Sequence, residues 1–271
     1  MNCGDKDINL SHKIVMAILN VTPDSFFDGG VNITETAWLQ KVERSIRDGA
    51  GIIDIGAIST RPGAAEVSQD EELERLIPAI KSIVKYFPEI VISVDTYRSA
   101  VAHAVINEGA GMINDISGGT FDPEIFSIVA NARLPYIMMH IKGTPRYMQA
   151  NPSYDDVTGE VIDFLKQQTE KALLAGVKQV IWDPGFGFGK TVEHNYQLMK
   201  DLKLFKASGY PLLVGISRKS MINVVLGTKP AGALNGTTVL NTVALLNGAD
   251  ILRVHDVKEA VEAVKLVEML S

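Results

Sequence analysis

A short apolar strand that ends on a polar residue recurs eight times along the chain, and this repeat limits the possible folds more than any other feature. Four of the strands follow a glycine-containing helix end, in the segments that begin at Gly49, Gly109, Ala175 and Asn247. The other four cover residues 14–19, 91–94, 136–139 and 212–216. A glycine that closes a helix before a continuously apolar strand is typical of parallel sheets. The pattern therefore predicts eight buried parallel strands.

Segments with helical periodicity lie between the strands, at residues 34–48, 70–86, 98–108, 154–174, 193–205 and 257–270. Strict alternation of strands and helices within 271 residues favours a (β/α)8 TIM barrel over a doubly wound sheet, which typically has fewer strands. The sequence contains no linker or low-complexity tract that would divide it. We therefore predict an α/β fold with a single barrel domain over residues 1–271, in which residues 1–12 form a flexible N-terminus.

Composition and charge argue against several classes of function. A net charge of -6 disfavours a broad surface for nucleic acid or membrane, because such surfaces bind through clustered Lys and Arg. Cys3 is the only cysteine, which excludes a disulfide framework and a cysteine-based zinc site. The first ten residues lack the features of a signal peptide, and no apolar run approaches the roughly 18 residues that cross a bilayer. We expect a cytoplasmic protein with small-molecule substrates and with neither a nucleic-acid nor a membrane partner.

Polar residues at the strand ends define the expected site, because all eight strand ends of a barrel meet on one face. They are Asn20, Asp54, Asp95, Asn114, Asp115, His140, Asp183, Ser217 to Lys219, Arg253 and His255. The acids and amides among them suit a flat heterocycle that is rich in hydrogen-bond donors. The cations and His255, with Arg61 from a neighbouring loop, suit an anion such as phosphate. The ligand that this set implies is a nitrogen heterocycle carrying phosphates.

Each of these polar residues also has a structural interpretation, since a strand-end side chain is often only a helix cap or a loop hydrogen bond. Asp54 lies within I-D-I-G and is interpreted as a brace of the barrel rim. Asp115 follows Asn114 and so faces the other side of its strand, which favours a cap. His140 is equally consistent with a hydrogen-bonded histidine above the barrel core.

The stretch Ile181 to Lys190 reads I-W-D-P-G-F-G-F-G-K and presents an acid at the end of an apolar run. Pro184 and Gly185 end the strand directly after Asp183. A Walker A loop requires glycine where Pro184 stands, and the glycines do not complete a G-x-G-x-x-G motif. The glycines are therefore expected to shape a loop, and Asp183 is the candidate for chemistry.

Seven motifs occur in order from about Ile14 to the C-terminus. They read N-V-T-P-D-S-F-F-D-G-G, S-T-R-P-G-A, S-V-D-T-Y, I-N-D-I-S-G, D-P-G-F-G-F-G-K, G-I-S-R-K-S and R-V-H-D-V. Together they resemble the dihydropteroate synthase family, whose members are transferases of folate biosynthesis and targets of sulfonamides. The resemblance implies a (β/α)8 barrel, often a homodimer, with magnesium (Mg2+) as cofactor. It also implies condensation of 6-hydroxymethyl-7,8-dihydropterin pyrophosphate with para-aminobenzoate, with release of pyrophosphate.

The resemblance assigns roles to the residues at matching motif positions. The pterin ring is expected at Asp95, Asn114, Asp183 and Lys219. The pyrophosphate is expected at Asn20, Arg253 and His255, with Asn20 also a magnesium ligand. Para-aminobenzoate is expected at Thr60, Arg61, Pro62, Phe188 and Ser220. The catalytic group is expected to comprise Asp95, Asp183, Lys219, Arg253 and His255.

In the family the pyrophosphate is thought to leave first, and the arylamine then captures the resulting pterin cation. The motifs offer no Ser-His-Asp or Cys-His pairing, so no covalent enzyme intermediate is expected. Magnesium, Arg253 and His255 would stabilise charge on the leaving group, while anionic Asp95 and Asp183 would favour the cationic ring. The two long loops that carry the first two motifs are interpreted as lids that exclude water, although plain turn-rich connections have a similar composition.

Two positions depart from the family pattern. Residues 57–60 read A-I-S-T where G-E-S-T is common, so Ile58 replaces a carboxylate, and Phe27 stands where a small polar residue is common. We expect these changes to alter loop behaviour or inhibitor sensitivity more than the type of reaction. Phe27 is at least as consistent with a buried anchor for its loop as with a ligand contact.

Two other functions compete with the synthase. A corrinoid-linked pterin methyltransferase domain needs no pyrophosphate site, so the S-R-K and R-V-H motifs argue against it. A catalytically silent pterin-binding paralogue predicts losses among the motif residues, and all of those named above for pterin and pyrophosphate are retained. The sequence therefore favours the synthase.

Overall fold

A computed structural model describes residues 1–22, 35–58 and 67–270. Within these residues the strands are β1 (Ile14–Asn20), β2 (Ile52–Gly56), β3 (Val91–Asp95), β4 (Met112–Asp115), β5 (Pro135–Met139), β6 (Gln179–Asp183), β7 (Leu213–Val214) and β8 (Ile251–Val254). They form one parallel sheet in the order β6-β5-β4-β3-β2-β1-β8-β7. A parallel bridge between Trp182 and Leu212 joins its two ends. The predicted (β/α)8 barrel is confirmed, and it closes between β6 and β7.

Helices cover the outside of the barrel and connect the strands. Within the described residues they are α1 (Glu35–Arg47), α2 (Gln69–Tyr86), α3 (Ser99–Asn107), α4 (Ile125–Ala132), α5 (Val157–Leu174), α6 (Val192–Lys200), α7 (Leu202–Lys206), α8 (Ser220–Leu226), α9 (Leu234–Leu246) and α10 (Val257–Glu268). A short 3-10 helix at Pro230–Gly232 precedes α9. In this part of the chain, no helix combines the length and the apolar character that a membrane crossing requires.

The helix predicted at residues 193–205 is two helices, because Asp201 interrupts it. The backbone of Asp201 ends α6 through a 3.0 Å hydrogen bond to Gln197 O, and its carbonyl receives Leu204 N of α7 at 2.8 Å. The Asp201 carboxylate accepts the hydroxyl of Thr158, on α5, at 2.7 Å. The same oxygen accepts Gln197 Nε2 at 2.7 Å, so one partner 43 positions away and one partner within α6 both hold the carboxylate at the break.

The barrel interior is apolar at the N-terminal ends of its strands and polar at the C-terminal ends. Strand register places Met16 beside Ile52 and Ile52 beside Val91, so side chains at one height face inward together. The apolar layer comprises Met16, Ile52, Val91, Met112, Ile137, Ile181, Leu213 and Ile251. The next inward position on β2 is Asp54, and polar side chains begin there. The architecture thus places the polar site above an apolar floor.

The N-terminal segment differs from the flexible terminus expected for residues 1–12. The N-terminal amino group donates to Ile8 O at 2.8 Å, and Asn2 forms an antiparallel bridge with Asp7. Cys3 is 2% exposed and Ile8 is 7% exposed, because both pack against the apolar floor. Burial raises the pKa of the Cys3 thiol to about 11. The open end of the barrel exposes apolar side chains, and this segment covers them.

Candidate active site

A row of polar positions crosses four neighbouring strands at the C-terminal end of the barrel. Asn20 pairs with Gly56, Gly56 with Asp95, and Asp95 with Asn114 in the strand register. Neighbouring strands lie about 4.8 Å apart, so these positions are close together. A Cβ atom added at Gly56 would lie 3.8 Å from Asn20 Oδ1 and 3.8 Å from Asp95 Oδ2. The glycine therefore leaves space between the amide and the carboxylate.

Asp54 braces the floor of the site, as its position in the strand suggested. Its fully buried carboxylate accepts Ser93 Oγ at 2.6 Å, Asn114 Nδ2 at 3.2 Å and Arg253 Nε at 2.6 Å. These bonds from three different strands orient the side chains of Asn114 and Arg253. Asp54 thus acts through its neighbours.

Arg253 lies between two carboxylates. Its Nε contacts Asp54, and its Nη2 donates to Asp95 Oδ2 at 3.1 Å. Burial acts to lower the pKa of Arg253, but Asp54 and Asp95 outweigh it and the pKa is raised. The guanidinium is therefore a permanent cation directly beside the acids expected to bind the pterin ring. This contact was not anticipated from the sequence, which grouped Arg253 with the anion-binding residues.

The carboxyl group of Asp95 has a strongly raised pKa. Burial raises the pKa of Asp95 to about 7, and repulsion from Asp54 adds to the effect while Arg253 opposes it. At neutral pH the carboxyl group is therefore divided between its protonated and ionised forms. A ligand with a cationic or donor-rich ring would favour the ionised form.

Asp183 and Lys219 approach each other across the closure of the barrel. Asp183 is buried at the end of β6, where its Oδ1 accepts Gly185 N at 2.8 Å. Burial raises the pKa of Asp183, and the charge of Lys219 opposes this. Burial likewise lowers the pKa of Lys219 to about 8, with Asp183 opposing it. The ammonium group donates to Phe186 O and lies 4.6 Å from the centre of the Phe188 ring.

The glycines between β6 and α6 shape a tight loop, as expected. Gly185 has φ +71°, and a Cβ atom there would lie 1.9 Å from His140 O. Gly189 has φ +65°, and its Cβ would lie 2.4 Å from Lys142 O. Any other residue at either position would clash with backbone. The loop can therefore pass close under the β5 end and carry Phe186 and Phe188 to Lys219.

Lys190 is the functional candidate that the sequence reasoning missed. Its side chain is 3% exposed, and Nζ lies 3.0 Å from His140 Nδ1, 2.8 Å from Gly185 O and 3.1 Å from Phe188 O. The available signal was the lysine that closes D-P-G-F-G-F-G-K. His140 is thereby the hydrogen-bonded histidine that the sequence allowed. Burial and the adjacent Lys190 lower the pKa of His140 to about 2, so it is neutral.

Asp115 and Arg218 stabilise loops beside the site. Asp115 accepts Ser117 N at 2.7 Å, Gly119 N at 2.9 Å and Tyr136 Oη at 2.6 Å, which agrees with the predicted cap. Arg218, the central residue of S-R-K, forms two hydrogen bonds to Asp256, at 2.8 and 2.7 Å. It also donates to Pro230 O at 2.7 Å. Arg218 therefore ties the loop after β7 to the loop after β8.

His255 and Ser217 form a contact that the motifs did not predict. The Oγ atom of Ser217 accepts His255 N at 3.2 Å and lies 3.1 Å from His255 Nδ1. Ser217 is buried, whereas His255 has an exposed side. Desolvation on the inner side, together with the charges of Lys41 and Arg253, lowers the pKa of His255. The imidazole is therefore neutral at neutral pH before an anion binds.

The remaining expected residues lie at the mouth or outside the described part of the chain. Phe188 is half-buried and packs on a cluster of Ile116, Met139, Ile141 and Met148. Ser220 is exposed at the first position of α8, next to Lys219. Thr60, Arg61, Pro62 and Phe27 lie in segments 23–34 and 59–66, which the structure does not describe.

The fold and the site together define a barrel enzyme. The C-terminal mouth holds carboxyl groups, an amide, an ammonium and a guanidinium in contact or in neighbouring register, above an apolar floor. Such a set binds a flat, donor-rich ring beside an anion. This is the position at which barrel enzymes carry their chemistry.

Comparisons with known proteins specify the family. The family described as "Pterin binding enzyme" matches residues 16–255. A dihydropteroate synthase of Escherichia coli K12 is 46% identical over 263 residues, which are 96% of this chain and 93% of the relative. A dihydropteroate synthase of Haemophilus influenzae is 43% identical over 97% of this chain and 96% of the relative.

Similar solved structures are also dihydropteroate synthases. A Yersinia pestis dihydropteroate synthase in complex with a sulfonamide drug superposes with a TM-score of 0.92 at 43% identity, covering 97% of this chain and 96% of that one. A Xanthomonas albilineans dihydropteroate synthase with 4-aminobenzoic acid gives 0.92 at 39% identity, covering 99% and 96%. The chain belongs to the pterin-binding enzymes and, within them, to the dihydropteroate synthase family.

Proposed function

We propose that this chain condenses 6-hydroxymethyl-7,8-dihydropterin pyrophosphate with para-aminobenzoate to give 7,8-dihydropteroate and pyrophosphate in folate biosynthesis. The observation that carries the proposal is the group of Asp95, Asn114, Asp183 and Lys219 at the C-terminal mouth of a barrel whose relatives are dihydropteroate synthases. The methyltransferase and silent-paralogue alternatives are not favoured, since full-length relatives carry the synthase name.

The pterin ring would lie among the two acids, the amide and the lysine. A pterin edge presents N–H donors, which the carboxylates of Asp95 and Asp183 can accept, and acceptors, which Asn114 and Lys219 can satisfy. Because Asp54 fixes Asn114 and the β6–α6 loop holds Lys219, these donors are oriented before the ligand arrives. Ionised Asp95 and Asp183 would then stabilise positive charge on the ring.

The pyrophosphate would lie beside the pterin, at Asn20, Arg253 and His255. Arg253 is charged at any ordinary pH and stands at the boundary between ring and phosphates, since it contacts Asp95. His255 is neutral beforehand, and a bound dianion would raise its pKa and draw a proton to it. These two residues would stabilise the negative charge that grows as the leaving group departs.

Magnesium fits this half of the site. Mg2+ is usually held by one or two protein oxygens together with substrate phosphates and water. Asn20 supplies an amide oxygen beside the space that Gly56 leaves, and the described residues contain no cluster of three metal-ligating acids or histidines. This donor set suits an ion that is held mainly by the substrate. When bound, magnesium would neutralise phosphate charge.

Para-aminobenzoate would enter over the ring from the mouth. Phe188 offers an apolar face backed by Met139 and Met148, and Ser220 offers a hydroxyl at the start of α8. Thr60, Arg61 and Pro62 remain candidates from the sequence. The carbon–oxygen bond to pyrophosphate would break first, and the arylamine nitrogen would then attack the methylene carbon of the pterin cation and release a proton.

Product formation by the purified protein tests the proposal. With magnesium and dihydropterin pyrophosphate, we expect pyrophosphate release that depends on para-aminobenzoate and is matched by dihydropteroate. Asp183→Asn should weaken pterin pyrophosphate binding about 10- to 100-fold, because a charged acceptor becomes neutral. Wild-type protein that binds pterin without forming product would instead be a silent paralogue.

We also propose a homodimer formed through helices α8, α9 and α10. These neighbouring helices expose large apolar side chains, among them Val224 (65%), Val239 (53%), Leu246 (53%) and Leu266 (71%). Large apolar side chains exposed on neighbouring helices are a feature of interfaces. Leu266→Glu should shift sedimentation towards the monomer, whereas Leu174→Glu, at the still more exposed Leu174 on α5 (89%), should not. The cytoplasmic location and the single domain stay predictions.

A further inference from the structure

The loop between β6 and α6 has an unusual pattern of hydrogen bonds. All five carbonyl groups from Gly185 to Gly189 accept a bond from a side chain. In chain order the donors are Lys190, Lys219, Gln149, Lys190 and Tyr154. A loop of three glycines has little stability of its own, since glycine loses the most conformational freedom on ordering. Its shape therefore depends on these donors.

Lys190 supplies two of the five bonds from inside the loop. Its Nζ contacts Gly185 O, Phe188 O and His140 Nδ1, with His140 O at 3.4 Å. Carbonyl oxygens only accept, so Nζ donates to Gly185 O and to Phe188 O whichever tautomer His140 adopts. Burial lowers the pKa of Lys190 well below its ordinary value, and Asp183 opposes that effect. The side chain is therefore a buried hydrogen-bond donor at the centre of the loop.

The carbonyls that Lys190 holds lie on either side of the contacts to Lys219. Gly185 precedes Phe186, whose carbonyl accepts Lys219 Nζ, and Phe188 carries the ring on which Nζ rests. A Cβ atom at the intervening Gly187 would lie 3.3 Å from Lys219 Cδ. The loop thus encloses the Lys219 side chain from three directions. A shift of this loop would move the Lys219 ammonium group directly.

We propose that Lys190 is a positioning residue for the reaction: its side-chain nitrogen donates to the β6–α6 loop and fixes it so that Phe186 and Phe188 place Lys219 over the pterin site. The role of Lys219 in this inference rests on the proposed function. The position of Lys219 does not, because it is set by contacts within the protein. Removing the Lys190 donors should release the loop, let water reach Lys219 and displace Phe188, which belongs to the same loop.

The test compares Lys190→Met with Lys200→Met, an exposed lysine on α6. Acetylation of Lys219 is followed by mass spectrometry as a function of pH. We expect the apparent pKa of Lys219 to move from about 8 towards 10.5 in Lys190→Met, and to stay in the control. Asp183, Asp95 and Arg253 face Lys219 in both variants, so they do not account for a difference. Lys190 itself also interacts electrostatically with Lys219, and Lys190→Gln removes that charge but keeps two donors, so the shift should be larger in Lys190→Met than in Lys190→Gln. An unchanged labelling curve in folded Lys190→Met overturns the proposal.

Steady-state kinetics supply the second measurement. Displacing an orienting group commonly weakens a site 10- to 100-fold, and we expect a loss on the order of that size in kcat/KM for pterin pyrophosphate. The KM for para-aminobenzoate should rise as well, because Phe188 belongs to the released loop. A merely structural role would instead lower kcat through the active fraction and leave both KM values unchanged.

Two further outcomes have distinct meanings. If Lys190→Met does not fold, Lys190→Gln tests the same donors from the other side: the amide can still donate two hydrogen bonds, so both KM values should stay close to those of the wild type, and a clear rise in folded Lys190→Gln overturns the proposal. Failure of both variants to fold overturns the proposal, since Lys190 would then support the whole barrel. If wild-type protein forms no dihydropteroate, the proposed function fails, while the labelling comparison still decides whether Lys190 positions Lys219.

Discussion

Asp95 and Lys219 carry opposite charges whose pKa values nearly meet. Burial raises the pKa of Asp95 to about 7 and lowers that of Lys219 to about 8. In the free protein each group is therefore only partly ionised near neutral pH. A ligand that requires ionised Asp95 and protonated Lys219 finds both forms together only within a narrow pH range. The pH dependence of kcat/KM should therefore show a narrow maximum.

We expect kcat/KM for pterin pyrophosphate to rise as Asp95 ionises near pH 7 and to fall as Lys219 loses its proton near pH 8. Lys219→Arg should lower the rate overall but move the falling limb to higher pH, because arginine keeps its charge. Initial rates of both proteins across this range check the expectation. A falling limb that stays in place would assign it to another group.

Ser217 provides a second prediction at the scale of single residues. A covalent mechanism would require its hydroxyl as nucleophile, with His255 as base. The hydroxyl lies 3.1 Å from His255 Nδ1, but it is buried and also accepts the His255 backbone N–H, so we expect it to act as a loop brace. Ser217→Ala should therefore keep turnover within about tenfold of the wild type, whereas loss of a nucleophile typically costs several orders of magnitude. Single-turnover product formation distinguishes the two, and complete loss would support the covalent route.

At the scale of elements, the features that could be predicted from the sequence are those that depend on local sequence patterns. The eight strands, their inward acids and the glycine loop follow from alternation and from residues that are adjacent in the chain. The break at Asp201 depends on Thr158, and the anchoring of Arg218 depends on Asp256, 38 positions away. No local window contains these partners. The contact of Arg253 with Asp54 spans 199 positions and was missed for the same reason.

The N-terminal segment is an element whose stability can be measured alone. Ile8 packs on the apolar floor of the barrel, far from the polar mouth. Ile8→Ala should lower the free energy of unfolding by about 1–3 kcal/mol through lost burial, with the KM of both substrates unchanged. Denaturant unfolding beside Ser11→Ala, an exposed control, provides the measurement. Equal stability of the two variants would mean that the segment does not dock in solution.

At the scale of the whole molecule, the site lowers stability at higher pH. Asp95 has a pKa in the folded state of about 7, above its ordinary 3.8, so its ionisation favours the unfolded chain. Its contribution to stability is complete below pH 3.8 and is lost as pH rises through 7. The ionised Asp95 that the proposed chemistry requires therefore lowers the free energy of unfolding.

Asp95→Asn should remove this pH dependence. We expect the Tm of the variant, relative to the wild type, to be higher at pH 8 than at pH 5, by the equivalent of about 1–3 kcal/mol. Activity should fall in the same variant, because the ring loses a charged acceptor. Thermal unfolding of both proteins at the two pH values tests the sign. A constant difference between them would mean that Asp95 is not the group responsible.

The closure between β6 and β7 also has a mechanical meaning. In the described chain this seam is held by the Trp182–Leu212 bridge, the bond from Trp182 N to Pro211 O and the stacked rings of Trp182 and Tyr210, without a strand ladder. We therefore expect the barrel to open here more readily than between strands that share a ladder. Asp183 ends β6 and Lys219 follows β7, so a ligand bound to both residues would link the two strands across this seam. Amide hydrogen exchange at β7 should therefore slow more than at β3 when pterin binds. The bound substrate would thus strengthen the closure of the barrel that binds it.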